Sequence, residues 1–183
     1  MIDRIISSIV LIFICPFLLI ISLLIYFSDG FPILFIQSRI GKNGKKFKLY
    51  KFRTMKNNTP EISTNDLNNY KKYLLKHGNI LRKYSLDELP NVFNIFLGNL
   101  RFIGYRPALK KQYFLNKKRK ELGIFNFYPG LTGLAQVSGR DNLSDSEKIK
   151  YEKEYIENKS FILKLRIIIL TLIMFIKPKN VKG

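Results

Sequence analysis

Residues 5–27, IISSIVLIFICPFLLIISLLIYF, carry no charge, and no later stretch of the chain is both as long and as apolar. As a straight helix this run would be about 34 Å long, enough to cross a bilayer core of about 30 Å. Pro16 stands at its middle, where it removes a helix hydrogen bond and bends the axis. Two arms on either side of Cys15–Pro16 would each reach about 17 Å, half the core, so the segment could enter and leave by one face. A kinked spanning helix is the competing geometry, and Pro16 alone does not choose between them. The run has no basic leader and no A-x-A site, which argues against a cleaved signal peptide.

The pattern then changes period. FKLYKF at 47–52 alternates apolar and basic positions, which predicts a half-exposed strand, and Gly41 with the following KNGK suits the turn of a hairpin. Residues 56–69, KNNTPEISTNDLNN, are polar and turn-rich, a surface loop or insertion. From 86 to 97 the spacing predicts a helix with Leu86, Leu89, Phe93 and Phe96 on its apolar face. Asp87, Asn91 and Asn94 fall along another stripe, a pocket edge or a solvent face. GYRPA and YPGLTGLAQVSGR read as Gly- and Pro-punctuated loops carrying Arg106 and Arg140. Loop arginines beside open backbone N–H groups suit phosphate binding, though ordinary turns with surface arginines look alike. The uncharged run at 167–176 is about 15 Å long as a helix, too short to span, and predicts an interfacial or core helix.

The fold expected is α/β, mainly helical with a small β-hairpin. A membrane segment would occupy residues 1–28 and a catalytic domain 29–183, with an interfacial C-terminal helix. Charge narrows the partners. The chain has 32 Lys and Arg against 13 Asp and Glu, a formal charge of +19, so an anionic partner is implied: nucleic acid, an acidic membrane surface or phosphorylated small molecules. The basic remainder belongs in the cytoplasm by the positive-inside rule. One cysteine and one histidine, Cys15 and His77, exclude an internal disulfide and a Cys/His metal cluster. Any metal would be a hard cation held by carboxylate and phosphate oxygens.

Two of the scarce carboxylates, Asp87 and Glu88, sit side by side in SLDELPNVFNIFLGNL. Ser85 with Glu88 three residues on fits a capping box, and Asp87 would suit a first helical turn. Paired carboxylates can also do chemistry, and the local spacing admits both readings.

Taken in order, the apolar anchor with Pro16, KLYKFRTM, LRKYSLDELPNVFNIFLGNLRFIGYRP, PGLTGLAQVSGR and YIENKSFILKLRI cover nearly the whole chain. Together they resemble the bacterial sugar transferase family, the monotopic polyprenyl-phosphate phosphoglycosyl transferases. The resemblance implies that Asp87 attacks the sugar-bearing phosphate of a UDP-sugar and releases UMP. A polyprenyl phosphate then takes the phosphosugar from the aspartate, in a first membrane step of glycoconjugate or polysaccharide synthesis. Glu88 would position or deprotonate the incoming phosphate. Mg²⁺, held in part by Asp87, is the implied cofactor. Lys51, Arg53, Arg106 and Arg140 are the candidate phosphate contacts, by motif position. The implied place is the cytoplasmic face of the cell membrane. A homo-oligomer is compatible with the sequence, and no nucleic-acid partner is expected.

The chain departs from the family pattern at four places. Cys15-Pro16 stands for Ser-Pro, and Tyr105-Arg106-Pro107 for Pro-Arg-Pro. Tyr128 takes the place of a basic residue, and Lys164 that of an Asp in the last helix. Two rival readings give the charge another use: a basic membrane-tethered nucleic-acid- or lipid-binding protein, and an inactive scaffold. The first leaves Asp87–Glu88 unexplained, and the second predicts normal folding without turnover.

Overall fold

A computed structural model describes residues 1–59 and 70–177, so most of the polar stretch at 56–69 lies outside the described residues. Helix α1, Ile2–Asp29, contains Pro16 without interruption. The expected helix–break–helix at Cys15–Pro16 is therefore one continuous helical element. Proline costs a hydrogen bond, yet an apolar helix tolerates it where its neighbours keep the backbone paired. By length and composition α1 is the one helix among the described residues able to cross a membrane.

Both ends of α1 rest on the body of the protein. Near the start, Arg4 Nε donates to the Phe96 carbonyl at 2.8 Å, and Asp3 accepts from the Phe102 N–H at 3.2 Å. Near the end, Ile21 and Ile25 pack with Phe52, Leu75 and Leu81. Between these anchors Ile9, Ile12, Phe13, Phe17 and Ile20 are exposed.

The hairpin is present. Strands β1, Leu34–Ile40, and β2, Lys46–Phe52, pair antiparallel with Phe35 opposite Lys51 and Arg39 opposite Phe47. Asn43 and Gly44 turn the chain at φ 55° and 71°, values that Gly and Asn accept most readily.

The helix predicted over 86–97 is divided. A single 3-10 turn covers Leu86–Glu88 and α3 covers Asn91–Phe96. Pro90 lies between them and has no N–H to carry a helix through. The buried face also differs from the spacing: Val92 and Ile95 point inward, while Phe93 and Phe96 are exposed. Asn94, fully buried, accepts from the Tyr50 N–H at 3.1 Å and donates to the Lys48 carbonyl at 2.7 Å. That side of α3 is therefore a polar clamp on β2 and not a solvent face.

Helix α2 spans Gly78–Lys83. A second small sheet pairs β3, Arg101–Ile103, in parallel with β4, Gly130–Thr132; the stretch at 128–140 read as a loop thus holds a strand and, at 134–138, a helix. Backbone meets backbone here. A Cβ on Gly130 would lie 2.0 Å from the Gly104 nitrogen, and one on Gly133 would lie 2.0 Å from the Gly104 carbonyl oxygen, so only glycine fits.

Four helices complete the body: α4, Tyr113–Glu121, α5, Leu134–Ser138, α6, Asp145–Glu157, and α7, Phe161–Ile176. The capping box occurs at α6, where Ser144 and Glu147 cap one another's backbone N–H. Tyr105, Leu115, Ile124, Phe125 and Ile149 form a core beneath α4 and α6. Arg119 and Glu152 join those helices by hydrogen bonds of 2.8 and 2.5 Å. In α7, Ile167 is buried, while Phe161, Ile162, Leu172, Ile173 and Ile176 are exposed. At about 24 Å it is too short to span, in line with the interfacial or core helix expected.

Candidate active site

Ser85, at φ 55°, introduces the Leu86–Glu88 turn in the left-handed region, which a residue with a Cβ enters at a cost. Its side chain makes no cap hydrogen bond, so the capping box expected here does not form. Instead Ser85 Oγ accepts from Arg140 Nη2. Arg140 is itself left-handed, at φ 54°. Two strained residues joined to each other are what a functional constraint leaves in a backbone.

The adjacent carboxylates meet different surroundings. Glu88 Oε1 accepts from Lys51 Nζ at 2.7 Å and from Arg106 Nη2 at 2.8 Å. Burial alone would raise its pKa, but the Arg106 and Lys51 charges and hydrogen bonds hold it well below the usual carboxylate range. Asp87 has no hydrogen bond or ion pair to its carboxylate among the described residues. Burial pushes its pKa up to about 6, helped by the Glu88 charge and opposed by Lys51, Arg82 and Arg106. Two neighbouring carboxylates whose pKa values are driven apart have separate tasks. Glu88 is committed to two cations. Asp87 is desolvated and free to react.

Of the residues singled out from the sequence, Lys51, Arg106 and Arg140 converge on this turn with Asp87 and Glu88. Arg53 does not. Strand β2 ends at Phe52, and the buried guanidinium beyond it binds the Asp29 carboxylate and the Asp29, Gly30 and Pro32 carbonyls. Its role is to fasten the end of α1. Cys15 is exposed and lies in the outward part of α1.

Two cations were not foreseen. Arg82 donates to Thr54 Oγ1 at 2.9 Å and its charge reaches Asp87. Arg39 donates to the Pro107 carbonyl at 3.2 Å and shares a small cavity with Lys51, Glu88 and Arg106. Burial, with the Arg106 charge, lowers its pKa to about 10. The hairpin register held a signal for Arg39, since pairing Phe35 with Lys51 sets Arg39 and Lys51 on one sheet face.

A cavity of about 1000 Å³ opens beside the turn. Ser85, Glu88, Arg106 and Arg140 are among its polar lining residues, and Ile6, Leu165, Ile168 and Leu172 among its apolar ones. Glu88 faces this space, and Asp87, its neighbour in the chain, is half-buried. A ligand with a phosphate and a hydrocarbon tail would meet both kinds of side chain. For a divalent cation, the described residues hold no cluster of three acidic, His or Cys ligands. One uncommitted carboxylate, Asp87, still fits Mg²⁺, which commonly takes one or two carboxylates and completes its shell with substrate phosphates and water.

Comparison with known proteins places the chain in a family. Residues 1–178 match the family described as bacterial sugar transferase. The exopolysaccharide production protein ExoY of Sinorhizobium fredii is 33% identical over 93% of this chain and 81% of its own length. The uncharacterized sugar transferase EpsL of Bacillus subtilis is 39% identical over 78% of this chain and 69% of its own. The UDP-glucose:undecaprenyl-phosphate glucose-1-phosphate transferase of Escherichia coli is 33% identical over 92% of this chain, which spans only 38% of that longer protein. The galactosyl transferase CpsE of Streptococcus agalactiae is likewise longer, and 34% of its length is matched. By sequence, the chain belongs to the bacterial sugar transferase family.

Proposed function

We propose that this chain transfers a sugar 1-phosphate from a UDP-sugar to a polyprenyl phosphate, releasing UMP, through a covalent phosphosugar–aspartyl intermediate. The observation that carries the reading is the division of labour between Asp87 and Glu88 beside a cavity lined by both cationic and apolar side chains. Relatives of both lengths bear sugar transferase names, and the Escherichia coli relative is named for transfer from UDP-glucose to undecaprenyl phosphate.

An Asp87 carboxylate oxygen attacks the sugar-bearing phosphorus, and the bond to the UMP oxygen breaks. A phosphate oxygen of the acceptor lipid then attacks the same phosphorus, freeing Asp87 and leaving a polyprenyl diphosphate sugar. A carboxylate without hydrogen bonds loses little on leaving its surroundings, which favours nucleophilic attack. Lys51, Arg106 and Arg140 supply positive charge around the phosphates. Glu88 fixes Lys51 and Arg106 in place and thereby sets where that charge stands. Mg²⁺, held by Asp87 together with the diphosphate oxygens, would lower the charge repulsion against attack.

The test is UMP release from a panel of UDP-sugars by detergent-purified protein, with and without polyprenyl phosphate. Without acceptor, a burst of about one UMP per enzyme is expected, followed by arrest. EDTA should suppress the burst and Mg²⁺ restore it. UMP that appears only once the acceptor is added would replace the covalent reading with direct displacement.

The same proposal places the protein on the cytoplasmic face of the cell membrane with α1 re-entrant. What supports it is that Arg4 and Asp3 at one end of α1, and Ile25 and Asp29 at the other, all contact a single body. A spanning helix would carry its two ends to opposite sides of the bilayer. In a Cys15→Ser background, Ile2→Cys and Lys45→Cys should both resist membrane-impermeant labelling from outside intact cells. Labelling of Ile2→Cys alone would establish a spanning helix. Pro16→Leu restores the missing hydrogen bond and should move the Ile2→Cys site toward outside labelling.

A further inference from the structure

The cavity has a second cationic region that the transfer chemistry does not use. In the cavity that residues from the starts of α1 and α7 both line, Lys42 Nζ lies 4.4 Å and Arg101 Cζ 4.1 Å from the centre of the Tyr128 ring. Lys159 Nζ lies 3.6 Å from the centre of the Phe127 ring. Lys164 is close enough for its charge to act on Lys159, and all four cations line the same cavity. Four positive charges face one carboxylate, Asp3, at 3.6 Å from Arg101. Lys42, Lys159 and Lys164 make no ion pair among the described residues. Arg101 Nη1 is buried without a hydrogen-bond partner, and an unfilled buried donor is costly unless a ligand completes it.

The charge does not lie on an open polar surface. Ile2, Phe161 and Ile162 beside it are exposed apolar residues of the two helix starts, the arrangement expected where a basic patch meets lipid headgroups with acyl chains alongside. Aromatic rings under the cations fix their positions. Tyr128 alone carries two of the cations on its ring.

We propose that Lys42, Arg101, Lys159 and Lys164 form a binding site for the phosphate of an acidic membrane phospholipid, seated over Tyr128 and Phe127 and separate from the Asp87 centre. The proposal rests on the membrane-surface placement above but not on the transfer reaction, so it is measured by lipid retention and not by turnover. Its function is to seat the α1 and α7 N-termini at headgroup depth.

Protein reconstituted in nanodiscs of phosphatidylcholine doped with phosphatidylglycerol would be released into mild detergent, and the bound lipid counted by native mass spectrometry. The full chain and Lys71→Gln/Lys72→Gln, which removes two exposed lysines elsewhere, should retain phosphatidylglycerol. Lys42→Gln/Arg101→Gln and Lys159→Gln/Lys164→Gln should each retain roughly twenty-fivefold less, from about a fivefold loss for each of the two cations removed. The second pair leaves the Asp3–Arg101 contact intact, so its loss does not come from a displaced α1. The acceptor-free UMP burst should be unchanged in both variants. Equal loss in the Lys71/Lys72 control would reduce the effect to net charge and overturn the site. Retained phosphatidylglycerol with a raised KM for polyprenyl phosphate would overturn it in favour of the acceptor.

Discussion

Asp87→Asn is expected to reduce UMP release by on the order of 10⁴-fold or more, because an amide cannot form the acyl phosphate and the other groups act only through it. The same substitution should stabilise the folded protein. The Asp87 pKa is raised, to about 6, chiefly by burial. A raised folded-state pKa means a stability contribution fully present below the unfolded carboxylate value, about 4, and lost as pH rises through about 6. Above that pH the wild type carries a desolvated charge that the neutral amide lacks. Thermal unfolding in detergent should therefore show the variant melting above wild type at about pH 8, with the gap closing below about pH 4. Mg²⁺ at Asp87 would favour the carboxylate, so the wild-type acceptor-free UMP rate should rise with pH through an apparent pKa below 6. A variant that stays active and melts lower would return Asp87 to a purely structural role.

Arg119→Ala should be the most damaging substitution away from the site. The Arg119 and Glu152 side chains are 1% and 2% exposed, and the guanidinium also lies 5.0 Å from the Tyr105 ring centre. Removing one partner leaves a buried carboxylate without its counter-charge, a loss of about 3–5 kcal/mol. For a domain of ordinary stability that is a large share of the total. Denaturant unfolding should show the midpoint collapse, and Arg119→Met with Glu152→Leu should recover much of it, since a shape-matched apolar pair removes both charges together. A single-variant loss below about 1 kcal/mol would mean that water reaches the pair.

Much of this was legible in the sequence, and the failures have physical causes. The anchor, the hairpin and the short C-terminal helix were readable because each depends on local periodicity and turn residues. The helix over 86–97 was drawn too long because Leu86, Leu89, Phe93 and Phe96 obey helical spacing, while Pro90 and the left-handed Ser85 make a separate turn of the first part. Its inward face was misjudged for a different reason. Phe93 and Phe96 lie on the side of exposed apolar residues, and in a membrane-bound protein an apolar stripe need not point to a core. The β3–β4 pair was missed because each strand has three residues and their partnership is long-range. At the site, motif order brought in Lys51, Arg106 and Arg140, but it could not separate Lys51 from Arg53. That distinction depends on β2 ending at Phe52.

The Asn94 carboxamide has a consequence beyond holding α3 to the hairpin. It accepts from one β2 N–H and donates to one β2 carbonyl, the two contacts a neighbouring strand's peptide group would make. Strand β2 is the open flank of a two-stranded sheet, and such flanks recruit strands from other chains. With Asn94 and the rest of α3 occupying it, that flank of the hairpin is closed. One amide thus satisfies the flank beneath the helix, and Asn94→Leu, similar in volume but unable to pair, would leave the Tyr50 N–H and the Lys48 carbonyl facing a buried apolar side chain without partners.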